Sequence, residues 1–166
     1  MHNDLKNLIE LSTLSGKLKD AYEYWCNQNK SDKLPHRKAI DPLEIVRILP
    51  NVELLRILRN TKGEIIDFQY DLIGETIDHH TCSNRHHQHL SEIPHQNETT
   101  NLFQCMRVAG NTHRAIALSM EYMGHDPRID HAQGIILPLG GDTAEAESIL
   151  MAVVFIEKAD FPSSTE

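Results

Sequence analysis

The segment 149–157, "ILMAVVFIE", constrains the fold of this 166-residue chain more than any other feature. It is apolar at both odd and even positions, so a strand formed from it would bury side chains on both of its faces. A strand of this kind lies in the centre of a sheet that is covered on both sides. The rest of the chain must therefore supply neighbouring strands and two covering layers.

Four other segments have strand patterns; they are 51–58, 64–72, 113–122 and 131–139. The first two are joined by "RNTKG", a turn-rich link that is typical of a hairpin. The second segment alternates apolar with polar residues, which predicts one buried face. That predicted buried face carries Ile66, Phe68, Tyr70 and Leu72.

Two regions have helical periodicity. An apolar stripe runs from Leu5 to Trp25 and predicts a helix to about Asn29, with an interruption at 12–16. A second helix is expected over 98–109, with Gly110 as its stop. Strands grouped by tight links, with helices before and between them, indicate an α+β fold built on an antiparallel sheet.

The bulk composition excludes several classes of partner. A net charge of −8 argues against broad contact with nucleic acid or an anionic membrane. No apolar run approaches the roughly 18 residues of a membrane span, and the N-terminus lacks a secretion-signal pattern. Three cysteines without a close pair favour reduced thiols, so a cytoplasmic location is expected.

Five stretches carry a family resemblance: "YW" at 24–25, "LPHRKAIDP" at 34–42, "LP" at 49–50, "YDLIG" at 70–74 and "ILPLGGDTAEAESILMAVVF" at 136–155. With these, the chain resembles the PAS-like domains found as small stand-alone bacterial proteins, mostly in alphaproteobacteria. The resemblance implies a five-stranded sheet in spatial order 2-1-5-4-3, with helices on one face enclosing a small cavity.

The resemblance also implies a division of the chain into three parts, and the chain departs from the family at one place. We expect an N-terminal helical segment at 1–33, a PAS-like domain at 34–160 and a disordered tail at 161–166. Where such proteins usually carry a glycine-rich acidic turn, this chain has "CSNRHH".

The resemblance points to a ligand cavity between the sheet and the middle helices. The residues expected to line it are Tyr70, His79, His86, Phe103, Met106, Arg114, Ile116 and Leu118. The alternative is that most of them simply fill the core, and no cofactor is identified. Outside the cavity, Arg37 is expected to pin the connector, residues 34–50, through Asp41 or a carbonyl, or else to clamp a ligand carboxylate.

The segment "DHHTCSNRHHQHL" at 78–90 admits three interpretations: a polar loop, a metal or haem site, and a proton-sensitive element. A metal site would need His79, Cys82, His86 or His89 to converge, yet no set ligand spacing is present. Imidazoles with pKa values near ~6.5 could gain charge as the pH falls. The polar loop is the favoured interpretation, and no metal is assigned.

The function expected from these features is that of a sensory or ligand-binding domain, not an enzyme, acting through protein–protein contacts in bacterial signalling. The alternatives are a purely structural interaction module with a filled core, or a histidine-rich metal- or haem-binding protein. A partner signalling protein is expected. The apolar stripe of the first helix either folds back on the sheet or forms a homodimer contact.

Overall fold

A computed structural model describes residues 5–28, 33–81, 85–94 and 96–159. The fold is α+β, and its strands and helices follow in this order: β1 (Leu8–Ile9), α1 (Gly16–Gln28), β2 (Val52–Arg59), β3 (Ile65–Ile73), α2 (Glu75–Thr81), α3 (Asn101–Thr112), β4 (Ile116–Glu121), β5 (Ile129–Gly140) and β6 (Ala146–Glu157). All strand pairs are antiparallel, and the spatial order is β1-β4-β5-β6-β2-β3.

The five longer strands have the spatial order that was expected, with the last strand between β5 and β2. The sixth strand, β1, is an addition at the β4 edge, where Leu8 pairs with Leu118 and Ile9 with Ala117. The predicted helix was therefore wrong over its first residues. A sheet edge offers backbone partners there, and helix α1 begins only at Gly16.

The sheet buries both faces, as the apolar pattern of β6 predicted. Leu150 and Ala152 of β6 belong to the core on the α1 side, whereas Met151 and Val153 belong to the core under α2 and α3. Helix α1 thus folds back on the sheet, and its buried residues are Leu18, Ala21 and Trp25. The stripe of α1 is covered within the chain, so it gives no argument for a homodimer, which stays a prediction.

The alternation expected along β3 holds only in its middle. Phe68 and Tyr70 are buried, but Ile66 is 50% exposed and Leu72 is 42% exposed. The register against β2 shifts by one residue at each end of β3, which leaves Ile66 and Asp71 without cross-strand partners. Each such β-bulge adds one residue and reverses which face the following side chains meet.

Helix α3 lies further along the chain than predicted. Thr100 is its N-cap and accepts a hydrogen bond from the Phe103 amide, and His113 ends it with a φ of 61°. Gly110 is inside the helix and does not stop it. A Cβ there would lie 2.8 Å from Cδ1 of Ile65, so the glycine lets the helix approach the sheet closely.

Three of the family-like stretches meet on the α1 side of the sheet. The Trp25 Nε1 donates a buried hydrogen bond of 2.8 Å to the Pro138 carbonyl. The connector joins the same strand, since the Gly140 amide donates to the Pro35 carbonyl over 2.8 Å. These contacts fix α1 and the connector against β5.

The remaining stretches meet near the start of α2. Asp71 lies at a bulge of β3 and forms an ion pair of 3.1 Å with Arg37 and one of 3.3 Å with Arg56. The partner of Arg37 is therefore Asp71, and the expected pairing with Asp41 is not the one observed. Gly74 passes so close to the connector that a Cβ would lie 2.3 Å from the Pro50 carbonyl oxygen.

Candidate functional site

A cavity of about 80 Å³ lies on the α2 side of the sheet, and it opens between the end of α2 and the residues that follow β4. Its lining residues are Glu53, Tyr70, Ile77, His80, Thr81, Arg85, Gln96, Leu102, Met120, Glu121, Tyr122, Met123, Gly124, Ala132, Met151, Val153 and Phe155. The exposed residues Glu121 and Met123 are at its mouth. Buried residues of β2, β3 and β6 form its inner wall.

The inner wall carries a buried carboxyl group. Glu53 of β2 is only 6% exposed and pairs with Ile73 of β3 and Met151 of β6. Burial raises the pKa of Glu53 to about 7, and the positive charge of Arg85 partly opposes that rise. Within the described residues, the Oε2 atom of Glu53 is buried and has no hydrogen-bond partner. An acceptor in that position favours a donor from a bound molecule.

Tyr70 lies beside this carboxyl group. It is 2% exposed, and burial raises the pKa of its hydroxyl, with the negative charge of Glu53 adding to the rise. Arg85 acts in the opposite direction, through its charge and through a side-chain hydrogen bond to Tyr70. The phenol therefore stays protonated at neutral pH, and the inner end of the cavity combines a carboxyl, a phenol and a guanidinium.

His80 forms the opposite side of the cavity, near its mouth. Its ring centroid lies 4.3 Å from that of Phe155, and its Nδ1 lies 3.3 Å from the Tyr122 hydroxyl oxygen. Burial is the main cause that lowers the pKa of His80, and the neighbouring His79 lowers it further. The lowered pKa favours the neutral imidazole, and the ring forms part of an aromatic wall.

A sequence model of a family described as PAS domain matches residues 15–154. The chain belongs to the PAS domain family. Domains of this family are, in general, sensory or interaction modules. No curated protein and no solved structure matches the chain.

The match to the PAS domain begins just before α1, so it includes that helix as well as the sheet. Across the described parts of the chain, none of the helices has the length and apolar character needed to cross a membrane.

Of the residues expected to line the pocket, this PAS domain brings only Tyr70 to the cavity. Three others are fully buried in the core between the sheet and the helices: Phe103, Met106 and Leu118. Ile116 is half-buried at the edge of that core. The remaining three are exposed and lie outside the cavity: His79, His86 and Arg114.

The end of the histidine-rich segment, residues 87–89, runs along the free edge of β3. The His87 amide donates to the Tyr70 carbonyl and the Tyr70 amide donates to the Gln88 carbonyl, both over 3.0 Å. His89 forms a bridge with Gln69 and places its Nδ1 3.6 Å from Asp67. This pairing covers the strand edge and leads the chain past the cavity.

No cluster of three or more potential metal ligands occurs among the residues that the structure describes. Cys82, one of the suggested ligands, lies outside the described residues.

The sequence reasoning missed several polar residues of the cavity, among them Glu53, His80, Arg85 and Gln96. A signal for Glu53 was present, because it is in phase with Leu55 and Ile57 on the buried face of β2. A charged residue in the buried phase of a strand needs a partner or water, and it marks a candidate site. For His80 and Arg85 the sequence held no signal, because their placement depends on how α2 and the segment after it fold over the sheet.

Proposed function

We propose that this PAS domain is a sensory domain that binds a small molecule in the cavity beside Glu53 and Tyr70. It acts through protein–protein contacts with a partner signalling protein in bacterial signalling. The free thiols of Cys26 and Cys105 fit a reducing compartment, and on that ground we place the domain in the cytoplasm.

The observation that carries this proposal is the buried carboxyl group of Glu53. A charged group without a hydrogen-bond partner is costly in a packed core, and it persists where it has a use. Glu53 lies next to Arg85 at the inner end of a cavity whose other walls are mostly apolar. A few polar groups set into apolar walls are typical of small-molecule sites.

The position of the cavity supports a mechanism for output. Its walls include Ile77 and His80 of α2, Arg85 after it, and Met151 of the central strand. A ligand that contacts both the helical side and the sheet favours one packing of α2 and the following segment over another. That change in population would alter the surface that a partner protein meets.

The proposal does not include catalysis. Burial raises the pKa of the Cys105 thiol to about 11, which suppresses the nucleophilic thiolate at neutral pH. Cys105 belongs to α3 and does not line the cavity. Its environment suits a structural thiol.

A second candidate function is an interaction module with a filled core. It is favoured by the small size of the cavity and by the complete burial of Phe103 and Leu118, which were expected to line a pocket. Leu43 and Val46 of the connector are 83% and 61% exposed, and such apolar side chains are suited to a protein contact.

Native mass spectrometry with thermal melting separates the two functions. We expect the purified chain to carry a small molecule, or to gain melting temperature with members of a small-molecule library. The variant Ala132→Leu fills the cavity wall and should lose both effects, because Ala132 is buried there. The variant Ala115→Leu makes the same change outside the cavity and should keep them.

A wild-type chain that has only the mass of its polypeptide and a melting temperature that no library member shifts would contradict ligand binding. The interaction module would then be the better account. Retention of the ligand by Ala132→Leu would show that binding occurs elsewhere on the molecule.

A further inference from the structure

We propose that the cavity selects a small, uncharged molecule that donates hydrogen bonds, of which a primary amide is the simplest example. The inference rests on the proposed function, because it assigns a chemical class to the ligand of the same cavity. It is carried by the buried polar atoms of the cavity, by its charges and by its size.

The polar atoms that need partners are acceptors. Among the described residues, Glu53 Oε2 and Gln96 Oε1 are buried without hydrogen-bond partners, and both residues line the cavity. An oxygen of a carboxylate or a carboxamide accepts hydrogen bonds. A ligand that satisfies both atoms must therefore present N–H or O–H groups on its polar side.

The charges of the cavity favour an uncharged donor. Glu53 already has a positive charge near it in Arg85, which acts on both Glu53 and Tyr70. A ligand anion would meet the carboxylate of Glu53, and a ligand cation would add to the charge of Arg85. Either would bring an additional charge out of water into a site where the ionised Glu53 carboxylate already lies near the positive charge of Arg85.

The size and the apolar walls limit the rest of the ligand. The volume of about 80 Å³ is close to half of the ~150 Å³ in which an engineered apolar cavity holds benzene. Met120, Met151 and Phe155 supply apolar and polarizable surface next to the polar end. A ligand of a few heavy atoms, with one apolar end and one donor end, fits both walls.

The protonation of Glu53 agrees with this class of ligand. Burial holds its pKa at about 7, well above the ordinary value of 4.5. A bound donor stabilises the carboxylate form, so binding of such a molecule lowers that pKa.

The test compares four probes of nearly the same shape: acetamide, acetone, acetate and acetamidinium. They differ in charge and in the number of donors, while size is held constant. Binding to the wild-type chain is followed by NMR of the methyl groups of Met120 and Met151, which lie in the cavity wall. At pH 8, where most Glu53 carboxyls are ionised, we expect acetamide to bind about tenfold tighter than acetone, which lacks donors, and tighter than either ion.

Two variants connect the preference to Glu53. Glu53→Leu removes one of the two buried acceptors and should reduce acetamide binding toward the level of acetone. Glu10→Gln changes an exposed carboxylate that lies outside the cavity, and it should leave acetamide binding within about twofold of wild type.

The outcomes separate the ligand class from the function. Tighter binding of acetate, acetamidinium or acetone at the same methyl groups overturns the uncharged donor and leaves the cavity as a ligand site. Equal acetamide binding by Glu53→Leu and wild type also overturns the class. No shift of these methyl groups with any of the four probes overturns the cavity as a binding site, and the proposed function with it.

Discussion

Replacing Glu53 by glutamine should change how the stability of the domain depends on pH. Burial raises the pKa of this carboxyl from 4.5 to about 7 in the folded chain, so the folded state holds its proton more tightly than the unfolded state. The folded state is therefore favoured below pH 4.5, and it loses that advantage as the pH rises through 7. At about 1.4 kcal/mol for each pKa unit, the ionised carboxyl costs the folded state about 3 kcal/mol above pH 7.

Glutamine keeps the size of the side chain and cannot ionise. The stability of Glu53→Gln relative to wild type should thus increase by about 3 kcal/mol between about pH 4.5 and about pH 8. Urea unfolding of both proteins at each pH measures this difference. The other charged or titratable groups lining the cavity are Tyr70, His80, Arg85, Glu121 and Tyr122. They are present in both proteins, so their direct contributions cancel in the comparison.

The control is Glu121→Gln, which alters an exposed carboxyl at the mouth of the same cavity. It should follow wild type at both pH values to within about 0.5 kcal/mol. If Glu53→Gln and Glu121→Gln behave alike across this range, Glu53 ionises as an exposed residue does, and the reasoning about its burial is refuted.

Three further predictions concern the rest of the fold. Trp25→Phe removes the donor to the buried Pro138 carbonyl and should cost about 1–3 kcal/mol in urea unfolding; no loss would contradict a structural role for this bond. Gly74→Ala places a Cβ 2.3 Å from the Pro50 carbonyl oxygen and should lower the free energy of unfolding by about 3 kcal/mol. An unchanged free energy of unfolding would show that the connector can move away from the new side chain. Cys105 should resist iodoacetamide in the native chain and react with it in urea, because burial raises the pKa of its thiol to about 11. Peptide mass mapping follows the labelling, and rapid labelling of the native chain would contradict that burial.

The sheet was predictable from the sequence because hydrophobic patterning reports burial directly. The two-sided pattern of 149–157 placed β6 in the centre, and the family-like stretches gave the order of the five long strands. Strand β1 was not predictable. Two residues carry no periodicity, and only the free edge of β4 makes them a strand.

The errors within elements have local physical causes that patterning does not contain. The bulges at Ile66 and Asp71 depend on the register between two strands, so the simple alternation of β3 put Ile66 and Leu72 on the wrong face. Gly110 had the appearance of a helix stop, but its lack of a side chain serves the contact with Ile65. Both features result from tertiary packing.

The candidate site was predictable only in its location and in Tyr70. Most of the apolar residues expected to line a pocket fill the core, because the helices pack tightly on this face of the sheet. The polar character of the cavity comes from Glu53, and a charge in the buried phase of β2 was a signal that the sequence did contain. The contributions of His80 and Arg85 follow from how α2 and Arg85 pack over the sheet, which no spacing rule determines.

The titration of the Glu53 carboxyl, followed by ¹³C NMR with and without acetamide, tests the central claim most directly. That claim is that a buried, unpartnered carboxyl forms the polar end of a ligand cavity. The account predicts a midpoint of about 7 for the free protein and a lower midpoint with acetamide. A midpoint near 4.5 that acetamide does not change would contradict both the burial of the group and its role in binding.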